Sequence, residues 1–133
     1  MKPLLFSHRL EVRFRDCDPM GHVNNAVYLT YLEQARFAHW RTIDDGGAAP
    51  GVILARVEID YRKPANYGDV LEIRIFLERI GNTSITYAYE LLDQSGGLVA
   101  EAKSVLVSYD YAAGRPVAVP GDVRARLVGR PPS

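Results

Sequence analysis

Alternation of hydrophobic and polar residues marks several stretches of the chain as half-buried β-strands. The pattern is first seen in LEVRFR (10–15), and it recurs at 55–62 and 71–78. β-Branched and aromatic residues are concentrated at 83–92, and VAEAKSVLVSYDY (99–111) forms a fifth such segment. Because the connections between the later segments are short, the pattern predicts an antiparallel meander.

The stretch from 24 to 43 has a different pattern. At 100° per residue its polar side chains collect on one narrow stripe, formed by Thr30, Glu33, Gln34 and Arg41. The rest of the circumference is mostly apolar, which is typical of a helix that is buried over most of its surface. Such a helix would be about 27–30 Å long, enough to span a five-stranded sheet. The sequence therefore predicts an α+β fold, a long helix wrapped by a curved sheet.

Composition and charge narrow the classes of function. The 133 residues include 16 Lys and Arg against 16 Asp and Glu, so the net charge is zero and no basic stripe indicates a nucleic-acid partner. One cysteine excludes an internal disulfide. No apolar run approaches the roughly 20 residues of a membrane span, and the N-terminus does not have the pattern of a signal peptide. We therefore expect a single soluble, cytoplasmic domain over 1–133.

The polar stretch DCDPMGHVNN (16–25) connects the first predicted strand to the helix and contains the candidate chemistry. It is not an EF-hand calcium loop, because Met20 and Val27 stand where two ligands belong. The three histidines of the chain lack the spacing of a zinc site. Cys17 with His22 as its base is a less favoured nucleophile, since a lone cysteine is more often a small buried hydrophobe.

A purely structural interpretation of this stretch is available. Asp18 and Pro19 start a turn, Gly21 gives the backbone freedom, and Asn24 caps the helix. A helix N-terminus, however, presents unpaired N–H groups and a partial positive charge. A carboxylate just before it can face a substrate carbonyl held on those N–H groups, which is the geometry of acyl transfer. Asp18 is then the candidate carboxylate, and the backbone N–H of Asn25 is the candidate oxyanion donor.

The stretch DCDPMGHVNNAVYLTYLEQAR (16–36) resembles the signature of hotdog-fold thioesterases of the 4-hydroxybenzoyl-CoA thioesterase type. VEIDYRKPANYGD (57–69) is similar to the second strand of that family, and ERIGNTS (78–84) to its Arg-x-Gly-x-x-Ser segment. The resemblance covers roughly 8–110, and the remainder is a short C-terminal extension. It implies the hotdog fold, a five-stranded antiparallel sheet around a central helix. It also implies an acyl-CoA thioesterase that requires no metal or organic cofactor.

The resemblance assigns roles to individual residues. The family's catalytic carboxylate falls on Asp18 rather than Asp16, and its oxyanion amide falls on Asn25. Asp16 is then expected to be a strand-end residue of little catalytic weight. His22 matches a family histidine, which either positions the carboxylate or the water, or is structural. Met20 departs from the Asp-x-Asn-x-His pattern of relatives that act on acyl-carrier-protein substrates.

Further residues are expected to bind the substrate. The resemblance implies that Tyr28 lines the pocket and that Glu33 is a structural partner. Because the CoA phosphates need cations, Arg62, Lys63 and Arg79 are candidates, although solvated strand-end charges are the alternative. The HVNN form of the helix start resembles fatty-acyl members and indicates medium or long aliphatic chains. The loop GGAAPG (46–51) could bound the acyl pocket.

A single curved sheet leaves an edge strand and an open cleft beside the helix. We therefore expect a homodimer or a dimer of dimers, a homotetramer, in which each site borrows Arg62 or Lys63 from its neighbour. Two other functions are considered. A hydratase or dehydratase on this fold would need a Gly-Asp-x-Asn-Pro-x-His context, which GDVLE (68–72) lacks. A non-catalytic acyl-CoA sensor would bind without turnover.

Overall fold

The structure is a computed structural model that describes residues 2–43 and 51–129. Within these residues, six strands and two α-helices follow one another. They are β1 (Leu4–Glu11), α1 (Val27–Ile43), β2 (Val52–Tyr61), β3 (Val70–Ile80), β4 (Ser84–Leu92), β5 (Leu98–Asp110), β6 (Arg115–Pro116) and α2 (Gly121–Leu127).

The strands form one antiparallel sheet in the order β1-β3-β4-β5-β2, and the two-residue β6 pairs with β5. The predicted meander is present in β3, β4 and β5. The meander does not extend to β2, which is next to β3 in the chain but not in the sheet. The helix connection carries β2 to the far side of the sheet, where it pairs with β5. The end of β2 that leads into β3 therefore lies close to the start of α1.

Helix α1 lies on the inner face of the sheet, as its apolar surface predicted. Leu71, Ile73 and Ile75 of β3 point toward it and are fully buried. The predicted polar stripe of α1 is exposed, and so are Leu29 and Phe37, at 42% and 54%. The helix is therefore covered on the sheet side and open on the other. Neither helix of the described residues is long and apolar enough to cross a membrane.

The first strand differs from its prediction. It begins at Leu4 and ends at Glu11, whereas the sequence pattern predicted 10–15. Phe14–Asp16 instead forms a single 3-10 turn, which the Arg13 N–H closes by donating to Oδ2 of Asp16 at 3.0 Å. Phe14 is 78% exposed, so its place in the alternation does not indicate burial. The alternation in LEVRFR thus marks a strand end followed by a turn.

The C-terminal segment packs back onto the core. Helix α2 buries Val123 and Leu127, and the Arg124 guanidinium donates to the carbonyl oxygen of Gly81 at 2.7 Å. The Val119 N–H donates to the carbonyl oxygen of Asn82 at 2.9 Å. This extension therefore covers the end of the sheet at the β3–β4 turn, away from the DCDPMGHVNN stretch.

Candidate active site

The DCDPMGHVNN stretch forms a narrow hairpin that leads into α1. Cys17 and Val23 pair as an isolated antiparallel bridge, and the Asp18 N–H donates to the carbonyl oxygen of His22 at 2.9 Å. Gly21 closes the turn by donating its N–H to the carbonyl oxygen of Asp18 at 3.0 Å. Its φ of +91° is a conformation that favours glycine. The tip of the hairpin therefore holds Asp18 and His22 side by side.

The hairpin is tied to the connection between β2 and β3. The Val23 N–H donates to the carbonyl oxygen of Ala65 at 2.9 Å, and His22 forms an isolated antiparallel bridge with Asn66. These bonds bring the hairpin to the end of the sheet where β2 finishes. The candidate carboxylate, the start of α1 and the residues just after β2 consequently lie at one end of the molecule.

Asp18 is half-buried, with 25% of its side chain exposed. Its Oδ1 accepts a hydrogen bond from the N–H of Met20 at 2.9 Å, and Oδ2 accepts none from a described residue. Nδ1 of His22 lies 4.0 Å from Oδ1, within ion-pair range but too far for a hydrogen bond. One oxygen therefore fixes the carboxylate while the other is left to meet a water or a substrate.

Asp16, two residues earlier, is 3% exposed and fully bonded. Tyr31 donates its hydroxyl to Oδ2 at 2.7 Å, and Arg13 donates its backbone N–H to Oδ2 and its Nη2 to Oδ1, at 3.0 and 2.9 Å. Burial alone would raise the pKa of Asp16, but these hydrogen bonds outweigh it and hold the pKa below its usual value. The Asn24 N–H also donates to the carbonyl oxygen of Asp16 at 2.9 Å.

The expectation that Asp16 is a strand-end residue is therefore wrong. It ends the 3-10 turn, and its bonds to Arg13, Tyr31 and Asn24 join the base of the hairpin to α1. Sequence reasoning missed this role because the partner hydroxyl of Tyr31 stands 15 residues away on the helix. The spacing of three residues between Arg13 and Asp16, two opposite charges that form an ion pair across the 3-10 turn, was the available signal.

The turn that leads into α1 has an open donor of the kind that the oxyanion site requires. Asn24, which was predicted to cap the helix, lies three residues before its first residue, Val27, and closes this turn: its Oδ1 accepts from the N–H of Ala26 and its carbonyl oxygen from the N–H of Val27, both at 2.9 Å. Asn25 is exposed, and its N–H donates to no described residue. This leaves the Asn25 N–H available to an oxygen atom of a bound ligand.

Tyr61, at the end of β2, is a residue of this region that sequence reasoning missed. Its hydroxyl donates to the carbonyl oxygen of Asn25 at 2.9 Å, and its ring packs edge to face on Tyr28 with 5.2 Å between centroids. The backbone of Asn25 is therefore held through its carbonyl oxygen, while its N–H, which belongs to the preceding peptide group, stays open. The only signal in the sequence was an aromatic residue at the end of an alternating strand.

Tyr28, the predicted pocket residue, is 3% exposed and lies in the core beneath the helix start. Its ring packs edge to face on Tyr31, at 6.0 Å, as well as on Tyr61. Burial raises the pKa of the Tyr28 hydroxyl. Its clearest contribution in this structure is to support the ring of Tyr61.

Two of the predicted phosphate-binding cations lie at the same end of the molecule as the hairpin, but each has an acidic partner. Arg62 donates from Nε and Nη2 to Oε2 of Glu101, at 2.9 and 2.7 Å. Lys63 forms an ion pair with Asp93, and its hydrogen bond is the largest of the causes that lower the pKa of Asp93. Both cations are about half exposed. They can reach an anion only if they share or leave these carboxylates.

Arg79 is not brought together with the other two cations. Arg79 pairs with Thr86 of β4, which in turn pairs with Val105 of β5. Tyr61, just before Arg62, pairs with Ala100 of β5. Five residues along a strand separate the two positions by roughly 17 Å. Within one chain, Arg79 therefore lies toward the opposite end of the sheet from the hairpin.

Two further expectations find little structural support. Glu33 is exposed on α1 and makes no hydrogen bond or ion pair with another described residue, so no structural partner for it is seen. The loop 46–51 lies outside the described residues except for Gly51, and its predicted role at the acyl pocket stays a prediction. Over residues 2–43 and 51–129, no three His, Cys, Asp or Glu side chains are grouped so that they could hold a metal ion.

Comparisons with known proteins agree with this architecture. Residues 12–127 match the family model described as the thioesterase-like superfamily. The long-chain acyl-CoA thioesterase FadM of Escherichia coli is 29% identical over 127 residues, which cover 90% of this chain and 94% of FadM. The acyl-CoA thioester hydrolase YbgC of Escherichia coli is 26% identical over 132 residues, covering 96% and 98% of the two chains.

A solved structure gives the same result. The thioesterase from Thermus thermophilus, determined in complex with coenzyme A and Zn, is 33% identical. It aligns over 96% of this chain and 98% of its own with a TM-score of 0.83. The predicted hotdog architecture, a long helix on an antiparallel sheet, is thereby confirmed. The chain belongs to the thioesterase-like superfamily, and the thioester hydrolase predicted from its motifs is confirmed.

Proposed function

We propose that the protein is an acyl-CoA thioesterase in which Asp18 drives hydrolysis and the backbone N–H of Asn25 binds the oxyanion. The observation that carries the proposal is the free oxygen of the half-buried Asp18 carboxylate, on a hairpin that continues directly into the open start of α1. The names of the relatives FadM and YbgC support acyl-CoA as the substrate class.

The chemistry can follow either of two routes. In the first, Asp18 takes a proton from water as the hydroxide adds to the thioester carbonyl. In the second, an Asp18 oxygen attacks that carbonyl to form an anhydride, which water then cleaves. In both routes the carbonyl oxygen gains negative charge opposite the Asn25 N–H, the carbon–sulfur bond breaks, and the CoA thiolate finally takes up the proton. His22, at 4.0 Å from Asp18, is placed to orient the carboxylate or the water.

The CoA moiety is proposed to bind near the end of β2. Arg62 and Lys63 follow that strand directly and lie at the same end as the hairpin, so they are the preferred partners of the phosphates. Binding would exchange their bonds to Glu101 and Asp93 for bonds to phosphate oxygens. Arg79 would reach the same CoA only from another subunit, because it lies far along the sheet.

Assembly through β2 is proposed to complete the site. β2 is an edge strand, and Ile53, Leu54 and Tyr61 on it are 36–46% exposed, which is typical of a surface that another chain covers. Pairing two such edges gives a homodimer, and two dimers give a homotetramer. In the dimer, Arg62 or Lys63 would reach the CoA of the neighbouring site as well as that of its own. Sedimentation at assay concentration tests this, and a fully active monomer would contradict it.

The acyl group is proposed to be aliphatic and of medium or long chain. The support is the HVNN stretch before α1 and the exposed apolar side chains of Leu29 and Phe37 on that helix. Such a surface accepts an extended hydrocarbon chain without requiring aromatic stacking.

The test is thiol release from a panel of short, medium, long and aromatic acyl-CoAs. We expect free CoA thiol and free acid in equal amounts, with the aliphatic chains turned over fastest. Turnover of benzoyl-type thioesters alone would contradict the chain preference. Disappearance of enoyl absorbance without thiol release would identify a hydratase, and tight binding without turnover would identify a sensor. Either of these last two results would overturn the thioesterase proposal.

A further inference from the structure

The second half of α1 borders a cavity of about 440 Å³ on the side of β2 and β5. Its lining is mostly apolar, with a few polar groups among the apolar side chains. The lining residues are Glu33, Arg36, Phe37, Trp40, Gly51, Val52, Leu54, Leu106 and Tyr111. The volume lies in the range of small-molecule sites, which combine an apolar wall with a small number of placed polar groups.

Arg36 is the unusual member of this lining. It is 8% exposed, yet no carboxylate of the described residues lies within 4.0 Å of its guanidinium nitrogens. Its hydrogen bond is a long one, from Nη1 to the hydroxyl of Tyr89 at 3.4 Å, and that hydroxyl is already engaged with Ser104 at 2.5 Å. A guanidinium has five N–H donors, and buried charges in proteins are normally paired. Among the described residues, the cavity therefore contains a cation with a single, long hydrogen bond and no carboxylate partner.

A second donor on the same cavity is also without a partner. The indole Nε1 of Trp40 is buried and forms no hydrogen bond within the described residues. Glu33 contributes the opposite charge to the lining, but it is exposed to solvent and stays more than 4.0 Å from Arg36. Among the described lining residues, Arg36 is thus the cation and Glu33, the one acid, lies at the exposed rim.

Helix α1 runs from the candidate active site to the cavity. Leu29, Glu33, Arg36 and Trp40 follow one another at spacings of three or four residues, so they lie along one face of α1, and Asn25 lies two residues before the helix begins. The nine steps from Val27 to Arg36 correspond to about 14 Å of helix, less the reach of the arginine side chain toward the helix start. This is the length of a medium or long acyl chain.

The facing strand gives the groove its other wall. Tyr61 stands at its start, where its hydroxyl holds Asn25, and Leu54 stands at its end in the lining of the cavity. Both side chains are more than 40% exposed on the edge strand β2. An acyl chain that enters at Asn25 would therefore run between α1 and β2 and end near Arg36.

We propose that Arg36 determines acyl specificity by binding a carboxylate at the far end of the acyl group, so that the preferred substrates are ω-carboxyacyl-CoA thioesters. This inference rests on the proposed thioesterase function and names its substrate class. The apolar walls of the groove hold the methylene chain, while Arg36 supplies the charge-assisted hydrogen bonds that its own surroundings leave unused. A methyl-ended chain of the same length would bury the guanidinium against hydrocarbon.

The test uses stable thioethers, so that it does not depend on turnover. Calorimetry compares the binding of S-decyl-CoA with that of S-(9-carboxynonyl)-CoA, two ten-carbon chains that differ only at the far end. We expect the carboxyl-ended compound to bind about tenfold more tightly or better to the native protein. Equal or tighter binding of the methyl-ended compound would overturn the proposal.

Variants assign the effect to the cavity. Arg36→Met keeps the length of the side chain and should remove the preference, Arg36→Lys should retain part of it, and the exposed Arg41→Met on the same helix should leave it unchanged. An unchanged preference in folded Arg36→Met would also overturn the proposal. If circular dichroism shows that Arg36→Met does not fold, the test of the preference rests on the native protein and on Arg36→Lys. Absence of thiol release from any ester would contradict the hydrolysis proposal alone, because these binding ratios are independent of it.

Discussion

The two acids of the DCD sequence stand two residues apart in opposite surroundings. Asp16 is 3% exposed, and both of its carboxylate oxygens accept hydrogen bonds from Arg13 or Tyr31. Asp18 has a quarter of its side chain exposed, and a single described donor, the Met20 N–H, bonds one of its oxygens. The turn at 14–16 directs the first side chain into the core, and the hairpin that follows holds the second at its surface.

The difference indicates a division of roles. A carboxylate that accepts several hydrogen bonds is stabilised as an anion and becomes a weak base, which suits an anchor. A carboxylate with one free oxygen, on a hairpin that leads to the open N–H of Asn25, keeps its access to a substrate. Asp16 therefore fixes the hairpin to the helix, and Asp18 is the residue that the hairpin presents.

The largest expected effect is on turnover by Asp18→Asn. The amide keeps the size and the bond to the Met20 N–H but cannot accept a proton from water or attack a carbonyl. We expect kcat to fall by about 10²–10⁴-fold with KM nearly unchanged, since general-base catalysis has this magnitude. Asp60→Asn is the matched control, because this carboxylate at the end of β2 is 75% exposed, and its kcat should stay within twofold or so of native.

The next effect is on stability, through Asp16→Asn. The substitution removes the charge that Arg13 and the buried Tyr31 hydroxyl contact, and it turns an acceptor into a donor facing other donors. Loss of charge-assisted bonds at a buried site should lower the free energy of unfolding by about 3 kcal/mol. Urea unfolding followed by circular dichroism measures this. A midpoint equal to that of the native protein would show that Asp16 is no anchor.

Lowering the pH should separate the contribution of Asp16 to stability from that of the buried His39. Burial lowers the pKa of His39 to about 4, whereas a histidine in the unfolded protein has a pKa of about 6.5. As the pH falls through this range, the unfolded protein gains a proton that the folded protein does not. The free energy of unfolding should therefore drop by on the order of 3 kcal/mol down to pH 4. Asp16 has a lowered pKa, so its contribution is complete above about pH 3.9 and is lost below it. The two windows therefore meet near pH 4, with the loss from His39 dominant above it and the loss from Asp16 dominant below it.

Unfolding free energies at several pH values between 7 and 2.5 check this pattern. His39→Gln should flatten the upper window alone, and Asp16→Asn should flatten the lower one alone. The same pH profile in His39→Gln as in the native protein would show that His39 is not the group titrating above pH 4.

The smallest expected effect is that of Tyr61→Phe. It keeps the ring that packs on Tyr28 and removes only the hydroxyl that donates to the Asn25 carbonyl oxygen. A single exposed hydrogen bond is worth about 0.5–1.5 kcal/mol, so kcat should fall no more than roughly tenfold through looser placement of the Asn25 peptide. The Tyr67→Phe variant, also an exposed tyrosine, is the control. A loss as large as that of Asp18→Asn would mean that Tyr61 takes part in the chemistry itself.

Patterns local in sequence predicted most of this molecule. The helix with its polar stripe, the strands β3 to β5 and the turn around Asp18 all follow from spacings of a few residues. Contacts between distant segments were missed, such as Tyr31 with Asp16 and Tyr61 with Asn25, because nothing in the chain marks which hydroxyl meets which acceptor. The pairing of β2 with β5 was missed for the same reason, since strand order depends on the path of the chain through α1 rather than on the pattern of any one strand.

The cations illustrate the limit of residue type as a guide. Arg62, Lys63 and Arg79 were equivalent candidates in the sequence, yet the fold places the first two beside the hairpin and the third far along the sheet. The acidic partners Glu101 and Asp93 come from β5 and the turn before it, which pair with this end of β2 only in the folded protein. Charge alone therefore predicted a binding role without its geometry.

The most direct test of the central claim measures kcat per folded molecule for Asp18→Asn and Asp16→Asn at the same pH, with the folded fraction taken from urea unfolding. We predict that folded Asp18→Asn loses at least about 100-fold in kcat with native-like stability, while folded Asp16→Asn, although less stable, keeps kcat within about tenfold of native. A folded Asp16→Asn without activity beside an active Asp18→Asn would mean that the wrong carboxylate has been assigned. Full activity in both would contradict the proposed mechanism altogether.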